Sequence, residues 1–279
     1  MTDRKNRVFD PQSSSQTGHP SYDSRGERSS LSVHTDANPG LTVMGTESGC
    51  GKTAIMTGLT AAFRQQGLAI RAVKPVCLGQ RDRSEAELSF ISSITGTPRN
   101  YPATFAASAK NLSYAQWSQA LSICLNTTHL TMVETPGSLA TPMSFEQSDP
   151  RDPTCSWKDS TDFAVELHFP VLIVAKHNEE AIEKLVLAWS YASTHSLVVA
   201  GLVTVETANG EGRALESKLS RSEVSLILNS RTSVPYLGCL KYSPSISVPR
   251  VNQGNLVKMT ETGVDTLVVR KALEAAVAK

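Results

Sequence analysis

The chain has 279 residues, of which 40% are apolar and 6% aromatic, and its 27 basic and 26 acidic side chains leave a net charge of +1. This length can bury a large core, whereas the near-neutral charge argues against a surface that binds nucleic acid by bulk charge. No apolar run approaches the roughly 18 to 20 residues that span a bilayer, and five scattered cysteines without a CxxC pair indicate neither a disulfide framework nor a zinc site. We therefore expect a cytoplasmic protein with no nucleic-acid or membrane partner.

Residues 1–40 differ in composition from the rest of the chain. They are rich in Ser, Gln, Asp, Arg and Gly, and their few apolar positions follow neither a strand nor a helix period. Such a segment cannot offset its ordering entropy by burying apolar surface. The sequence predicts a disordered tail over 1–40, available to a protein partner, followed by one folded domain over 41–279.

Strand and helix patterns alternate from Leu41 onward. Apolar runs predict strands at 41–45, 68–76, 129–134, 169–175, 197–205 and 234–238. Helical spacing of apolar residues predicts helices at 52–67, 84–94, 114–125, 179–192, 211–228 and 264–278. The polar, proline-bearing stretch 143–160 is predicted to be a loop or lid. Because the strands lack a solvent face, the pattern predicts a three-layer α/β fold, with a mainly parallel central sheet flanked by helices.

A glycine-rich turn joins the first strand to the first helix. Such a turn directs backbone N–H groups, together with the helix N-terminus, at the phosphates of a nucleotide. Lys52 would reach the β- and γ-phosphates, and the Thr53 hydroxyl would bind Mg²⁺. The alternative is an incidental glycine turn, but a strand precedes this one and a helix follows it. The predicted nucleotide-binding residues are Thr46, Glu47, Ser48, Gly49, Cys50, Gly51, Lys52 and Thr53.

Three charged residues are predicted near the same edge of the sheet. Lys74 ends the second strand, where its ammonium group would face the nucleotide; alternatively it is a solvated lysine before a turn. Glu134 ends the strand 129–134, a usual position for a carboxylate that binds Mg²⁺, or else it is an exposed acid at the start of a loop. Glu85 begins a predicted helix, so helix capping explains it as well as metal binding does.

The motifs in this order resemble the dethiobiotin synthetase family. The phosphate loop reads GTESGCGKT where the family has GTDTxVGKT, the second strand ends in KPV as in the family, and VETPGSLATP stands for VEGAGGxxxP. The likeness continues through FPVLIVA, VAGLVTV and VPYLGCL, and covers about residues 41–242. Partitioning ATPases share the loop but carry a signature lysine at the position of Glu47.

The resemblance implies a reaction and a set of residues that perform it. The family uses ATP, Mg²⁺ and CO₂ or bicarbonate to close a ureido ring on 7,8-diaminononanoate, a step of biotin biosynthesis, and acts as a homodimer. Lys52 and the loop amides would hold the triphosphate, and Lys74 would stabilise the carbamate and the transferring phosphoryl group. Thr53, Glu134 and Glu85 would hold magnesium, with Glu85 standing where the family has Asp.

The substrate half of the resemblance is altered. Thr135 and Pro136 replace the first residues of the family's GAGG, and Pro136 removes a backbone donor. Glu179 and Glu180 stand where the family's LGxINH helix start binds the substrate carboxylate, which they would repel. The adenine-reading asparagine of the family falls near Val205 and is missing.

Two alternatives follow from these departures. The chain could be a paralogue, an ATP-dependent ligase or amidoligase that acts on another amine or carboxylate. It could instead be a non-catalytic interaction protein that ATP switches, with the tail recruiting a partner.

Overall fold

The computed structural model describes residues 39–98, 104–106, 112–125, 127–146, 156–208 and 220–275. The strands are β1 (Gly40–Gly45), β2 (Ile70–Val73), β3 (Val76–Leu78), β4 (Thr104–Ala106), β5 (Leu130–Glu134), β6 (Pro142–Glu146), β7 (Ser156–Asp159), β8 (Val171–Lys176), β9 (Val199–Val205) and β10 (Tyr236–Leu240). The helices are α1 (Lys52–Gln65), α2 (Arg81–Thr95), α3 (Tyr114–Leu125), α4 (Ser160–Leu167), α5 (Ala181–Thr194), α6 (Arg221–Arg231), α7 (Leu256–Gly263) and α8 (Thr266–Ala275).

Six parallel strands form the central sheet, in the order β10-β9-β8-β1-β5-β2. The first strand of the chain lies in the interior of the sheet, where Val43 is in register with Glu134 of β5 and Leu172 of β8. Because all six strands run in one direction, their carboxyl ends meet at one edge. The loops that follow β1, β2, β5 and β8 therefore converge there.

Helices cover both faces of the sheet. On β1, Leu41 and Val43 contribute to a core shared with α1, α7 and α8, whereas Met44 contributes to a core shared with α5 and α6. A third cluster packs Trp117 of α3 edge-on against Phe163 of α4, with 5.2 Å between the ring centroids. Burial on both faces explains why the strands appear in the sequence as unbroken apolar runs. The predicted α/β fold with a mainly parallel sheet is confirmed.

The structure departs from the predicted elements at several places. The predicted strand 68–76 is divided at Lys74 and Pro75 into β2 and β3, and β3 pairs with β4 outside the central sheet. Proline lacks the N–H that would continue the ladder. The ends of the predicted loop 143–160 form the antiparallel pair β6 and β7, so the loop prediction was wrong there. Strand β4 and helices α4 and α7 were not predicted.

Two further predictions fall largely outside the described residues. The tail over 1–40 does so except for Pro39 and Gly40, and Gly40 already belongs to β1. The first part of the predicted helix 211–228 also lies outside, and the described part begins α6 at Arg221. Within the described ranges no helix is long and apolar enough to cross a membrane.

Candidate functional site

The phosphate loop lies at the carboxyl end of β1, between the ends of β5 and β8. Two of its glycines have positive φ angles, 70° at Gly49 and 101° at Gly51. At Gly51 a Cβ atom would also lie only 2.7 Å from the side chain of Val205, so close packing as well as the backbone angle requires glycine there. Gly51 is the N-cap of α1 and provides no side-chain cap, which leaves the N–H groups of the first turn for a ligand.

Lys52 connects the phosphate loop with the loop that follows β5. Its ammonium group donates a hydrogen bond to the carbonyl of Gly137 at 2.6 Å and another to the carbonyl of Glu47 at 3.2 Å. The residue is 6% exposed. The lysine predicted to reach the β- and γ-phosphates is thus held at the base of the loop by two backbone carbonyl oxygens.

Glu134 brings together two of the predicted site residues. Its Oε1 atom accepts hydrogen bonds from Lys74 Nζ at 2.7 Å and from Thr53 Oγ1 at 3.1 Å. Glu134 is 2% exposed, and among the described residues its Oε2 atom has no hydrogen-bond partner. A buried carboxylate oxygen without a partner, next to a hydroxyl, is the donor set that Mg²⁺ prefers. The residues therefore fit a magnesium ion.

Helix α2 contributes a glutamate that the sequence analysis did not select. Glu87 Oε2 accepts a hydrogen bond from Lys74 Nζ at 2.5 Å, and Glu87 lines the same cavity as Lys52 and Glu134. Glu85 is not among the residues lining that cavity; it lies 3.9 Å from Arg81 as an exposed ion pair on the same helix. The structure thus brings Thr53, Lys74 and Glu134 together and places Glu85 apart from them.

The two carboxylates determine the charge of Lys74. Burial alone would favour the neutral amine, but the negative charges of Glu134 and Glu87 outweigh burial and raise the pKa of Lys74 above its ordinary value. Lys74 therefore remains an ammonium ion at neutral pH. The two carboxylates balance the charge of this ammonium ion. The ammonium ion lies where a phosphoryl group in transfer would need a cation.

Glu47 forms a second ionic cluster beside the phosphate loop. Its carboxylate accepts from Lys176 at the end of β8, at 3.1 Å, and from Lys184 of α5, at 3.0 Å. Burial would raise the pKa of Glu47, but the hydrogen bonds from Lys184 and Lys176 lower it. Lys184 also pairs with Glu180 at 2.6 Å. Lys184 therefore partly neutralises the acidic residues that precede α5 in the sequence.

The altered loop Thr135-Pro136-Gly137-Ser138 forms one wall of the cavity. Thr135 is fully buried and its Oγ1 atom has no partner within the described residues, while Pro136 and Gly137 line the cavity directly. Gly137 has a φ of 62°. The cavity measures about 540 Å³, and its walls also include Ser84 and Val248. The phosphate loop, α2 and the loop after β5 thus enclose one space large enough for a small ligand.

Comparisons with known proteins match this arrangement to one family. The family described as AAA domain matches residues 39–250. The ATP-dependent dethiobiotin synthetase BioD of Mycobacteroides abscessus is 30% identical over 172 residues, which cover 58% of this chain and 72% of that protein. BioD of Bacillus thuringiensis is 25% identical over 219 residues, or 73% of this chain and 83% of that protein.

Two solved structures are also similar. The cell division ATPase MinD of Pyrococcus furiosus has a TM-score of 0.48 at 11% identity, covering 85% of this chain and 97% of that one. The chloroplast FtsY of Physcomitrella patens has a TM-score of 0.44 at 14% identity, covering 84% of this chain. The present chain spans 64% of the length of that FtsY chain.

Proposed function

Since the chain belongs to the AAA domain family, which contains dethiobiotin synthetase, we propose that it is an ATP-dependent carbon–nitrogen ligase of the dethiobiotin synthetase type. The observation that carries the proposal is the meeting of Lys52, Thr53, Lys74 and Glu134 around one cavity. Two buried lysines and a buried carboxylate at the ends of neighbouring strands suit the transfer of a γ-phosphoryl group.

The proposed reaction forms a cyclic urea from 7,8-diaminononanoate. One amine attacks CO₂, forms an N–C bond and loses a proton, giving a carbamate. A carbamate oxygen then attacks the γ-phosphorus of ATP, and the bond to the leaving oxygen of ADP breaks. The second amine attacks the carbamate carbon and loses a proton, and phosphate leaves as the ring of dethiobiotin closes.

Each part of the cavity has a role in this sequence. The amides of the phosphate loop and Lys52 bind the triphosphate, and Lys52 exchanges the carbonyls of Glu47 and Gly137 for phosphate oxygens. Lys74 orients the carbamate oxygen towards the γ-phosphoryl group and stabilises its charge. Thr53 and Glu134 would hold a magnesium ion, which would neutralise part of the phosphate charge. We propose Glu87 as a further carboxylate near the ion, and binding of the ion by Glu85 stays a prediction.

A specific alternative is that the same chemistry acts on an acceptor substrate other than 7,8-diaminononanoate. Pro136 lines the cavity and the buried Thr135 precedes it, where the family has small, flexible glycine-rich backbone, so this side of the cavity has less space for a long diamine. This observation favours a related ligase or amidoligase that joins another amine or carboxylate. Homodimerisation, a cytoplasmic location and a partner for residues 1–40 remain proposals from the family and from composition.

Product analysis on the full chain tests the proposal. The protein is incubated with ATP, Mg²⁺, bicarbonate and diaminononanoate, and dethiobiotin and ADP are quantified. We expect equal amounts of both products. We also expect a loss of turnover of about 10²-fold or more in Lys52→Ala. Lys271, exposed on α8, provides the matched control Lys271→Ala, which should retain full turnover.

Three other results would lead away from this function. ADP release that another amine or carboxylate stimulates, without dethiobiotin, identifies a related ligase. Nucleotide binding without any turnover, together with ATP-dependent self-association, identifies an interaction protein. A Lys52→Ala protein that binds and hydrolyses ATP normally would refute the assignment of the phosphate loop.

A further inference from the structure

Three potential metal ligands meet at the carboxyl ends of β8, β9 and β10. His177 follows β8, Glu206 follows β9, and Cys239 lies near the end of β10. One ligand atom of each lies within 4.8 Å of the other two. His177 is 6% exposed and Cys239 is fully buried, while Glu206 is partly buried. None of the three lines the cavity around Lys52 and Glu134, so the cluster is separate from the proposed ligase site.

The backbone and neighbouring hydroxyl groups fix the positions of these side chains. The N–H of His177 donates to the carbonyl of Val205 at 2.8 Å, and the N–H of Glu206 donates to the carbonyl of Leu240 at 2.9 Å. The three ligands are thereby attached to adjacent strands of the sheet. A rigid frame of this kind lowers the entropy that side chains lose when they bind an ion.

The side chain of Thr204 holds the imidazole ring of His177 in place. Its hydroxyl oxygen lies 3.0 Å from His177 Nδ1 and 2.6 Å from the hydroxyl oxygen of Tyr236. Metal-binding histidines are generally oriented by such a hydrogen bond on one ring nitrogen. Hydrogen bonds from Tyr236 through Thr204 thus orient the imidazole ring of His177. The carboxylate of Glu206 is held by an ion pair with Lys241.

We propose that His177, Glu206 and Cys239 form a binding site for a zinc-type transition metal ion. Imidazole, carboxylate and thiolate are the three ligand types that zinc takes in proteins, and a water molecule would complete a tetrahedral shell. Thiolate and imidazole favour such an ion over magnesium, which prefers oxygen ligands throughout. Binding converts the Cys239 thiol to a thiolate and releases its proton to solvent.

Lys241 competes with the ion for Glu206. Its ammonium group pairs with Glu206 Oε1, and the backbone N–H of Tyr242 donates to Oε2 at 3.1 Å. In a tetrahedral shell with ligands about 2.0 to 2.3 Å from zinc, neighbouring ligand atoms are about 3.3 to 3.8 Å apart. The three ligand atoms, now within 4.8 Å of one another, must therefore move closer together, and Glu206 does so by rotating away from Lys241. Removal of the ammonium group should therefore strengthen metal binding.

The spacing of the ligands explains why sequence analysis did not find this site. A zinc motif in one segment places two ligands within a few residues, as CxxC does. Here residues 177, 206 and 239 come together only because β8, β9 and β10 are consecutive strands of a parallel sheet. We expected no zinc site in this chain because it has no CxxC pair, but that criterion detects only ligands that are close in sequence.

Titration of the chelator-treated full chain with Co²⁺, without nucleotide, tests the proposal. Co²⁺ bound to a thiolate gives a charge-transfer absorption that Co²⁺ bound to oxygen ligands lacks, so binding at Glu134 is distinguished. We expect one equivalent of Co²⁺ with this absorption, displaced by Zn²⁺. Cys239→Ser should abolish the absorption, and Glu206→Gln should weaken binding at least tenfold. Lys241→Met should bind the ion more tightly than the wild type.

The outcomes separate a metal site from a structural cluster. Glu206→Gln keeps the shape of the side chain and Lys241 is exposed, so both variants test the proposal even if Cys239→Ser does not fold. Absence of the thiolate absorption in the wild type, or its persistence in Cys239→Ser, would overturn the proposal. Equal Co²⁺ affinity in the wild type, Glu206→Gln and Lys241→Met would overturn it as well.

Discussion

Replacement of Glu87 by Gln decides which glutamate of α2 serves the cavity. Glu87 Oε2 lies 2.5 Å from Lys74 Nζ, and its side chain is 17% exposed. The amide keeps the shape but removes the charge, which leaves Glu134, at 2.7 Å, to balance Lys74. A hydrogen bond between charged groups contributes about 1.5 to 3 kcal/mol, so we expect a loss of about 2 kcal/mol in the free energy of unfolding. In a domain of this size the Tm should fall by about 4 to 8 °C.

The same substitution should also slow catalysis. Removal of one preorganised charge beside a transferring group lowers kcat/KM by about 10²-fold, and the Mg²⁺ concentration for half-maximal turnover should rise. ADP release measured against Mg²⁺ concentration, together with thermal unfolding, provides both readouts. Glu85→Gln is the matched control because its carboxylate is 37% exposed and lies 3.9 Å from an exposed Arg81. We expect it to change stability by less than about 0.5 kcal/mol and to leave turnover unaltered.

The reverse result would refute this reasoning. If Glu85→Gln raised the Mg²⁺ requirement and Glu87→Gln did not, the glutamate predicted from sequence would be the functional one. Equal and small effects in both variants would show that α2 contributes no carboxylate to the ion.

Three further predictions concern the cavity wall, the ionic cluster and the core. Gly137→Ala places a Cβ atom 2.1 Å from Thr141 Oγ1 at a φ of 62°, so turnover should fall at least tenfold. Adding Thr141→Ala to the same chain removes the clash but should restore only part of the turnover, because about 1 to 2 kcal/mol of backbone strain remains. Glu47→Gln should lower stability at neutral pH, and urea unfolding should show this difference vanishing as the pH falls through the lowered pKa of Glu47, below its ordinary value of 4.5; an unchanged difference in acid would contradict the ion-pair assignment. Phe63→Ala, at a fully buried site, should cost about 3 to 5 kcal/mol by calorimetry while turnover per folded molecule stays constant; a smaller loss would mean that the core repacks.

The sheet was predictable because its strands are buried on both faces. Runs such as FPVLIVA carry no polar alternation that could be confused with a loop, and the phosphate loop fixes where β1 ends and α1 begins. The pair β6 and β7 was not predictable in the same way. Phe145 and Trp157 oppose each other across it and are 44% and 48% exposed, so the pair lacks the apolar run that marks a core strand.

The candidate site was predictable in part. Lys74 directly follows β2 and Glu134 ends β5, and the ends of these strands follow from the apolar pattern. Glu87 was missed because helix α2 begins at Arg81 rather than at residue 84. Ser84 and Leu88 are buried on one face of this helix. Glu87 follows Ser84 by three residues and therefore lies on the side that faces the cavity. Glu85 is turned about 100° away from Ser84. The helical spacing of four residues indicates that Glu87 lies on the inner side of the helix: Ser84, Glu87, Leu88 and Ile91.

The position of β1 in the interior of the sheet has a consequence for how the chain folds during synthesis. Val43 pairs with Glu134 and Thr42 with Val171, so the first strand is made long before either of its neighbours. At translation rates of about 5 to 20 residues per second, β1 and its glycine-rich turn wait about 6 to 25 s for β8. During that interval an apolar strand has two unpaired edges, and parallel pairings of such long range form slowly. The segment proposed to bind the nucleotide is therefore exposed to misassociation in the nascent chain.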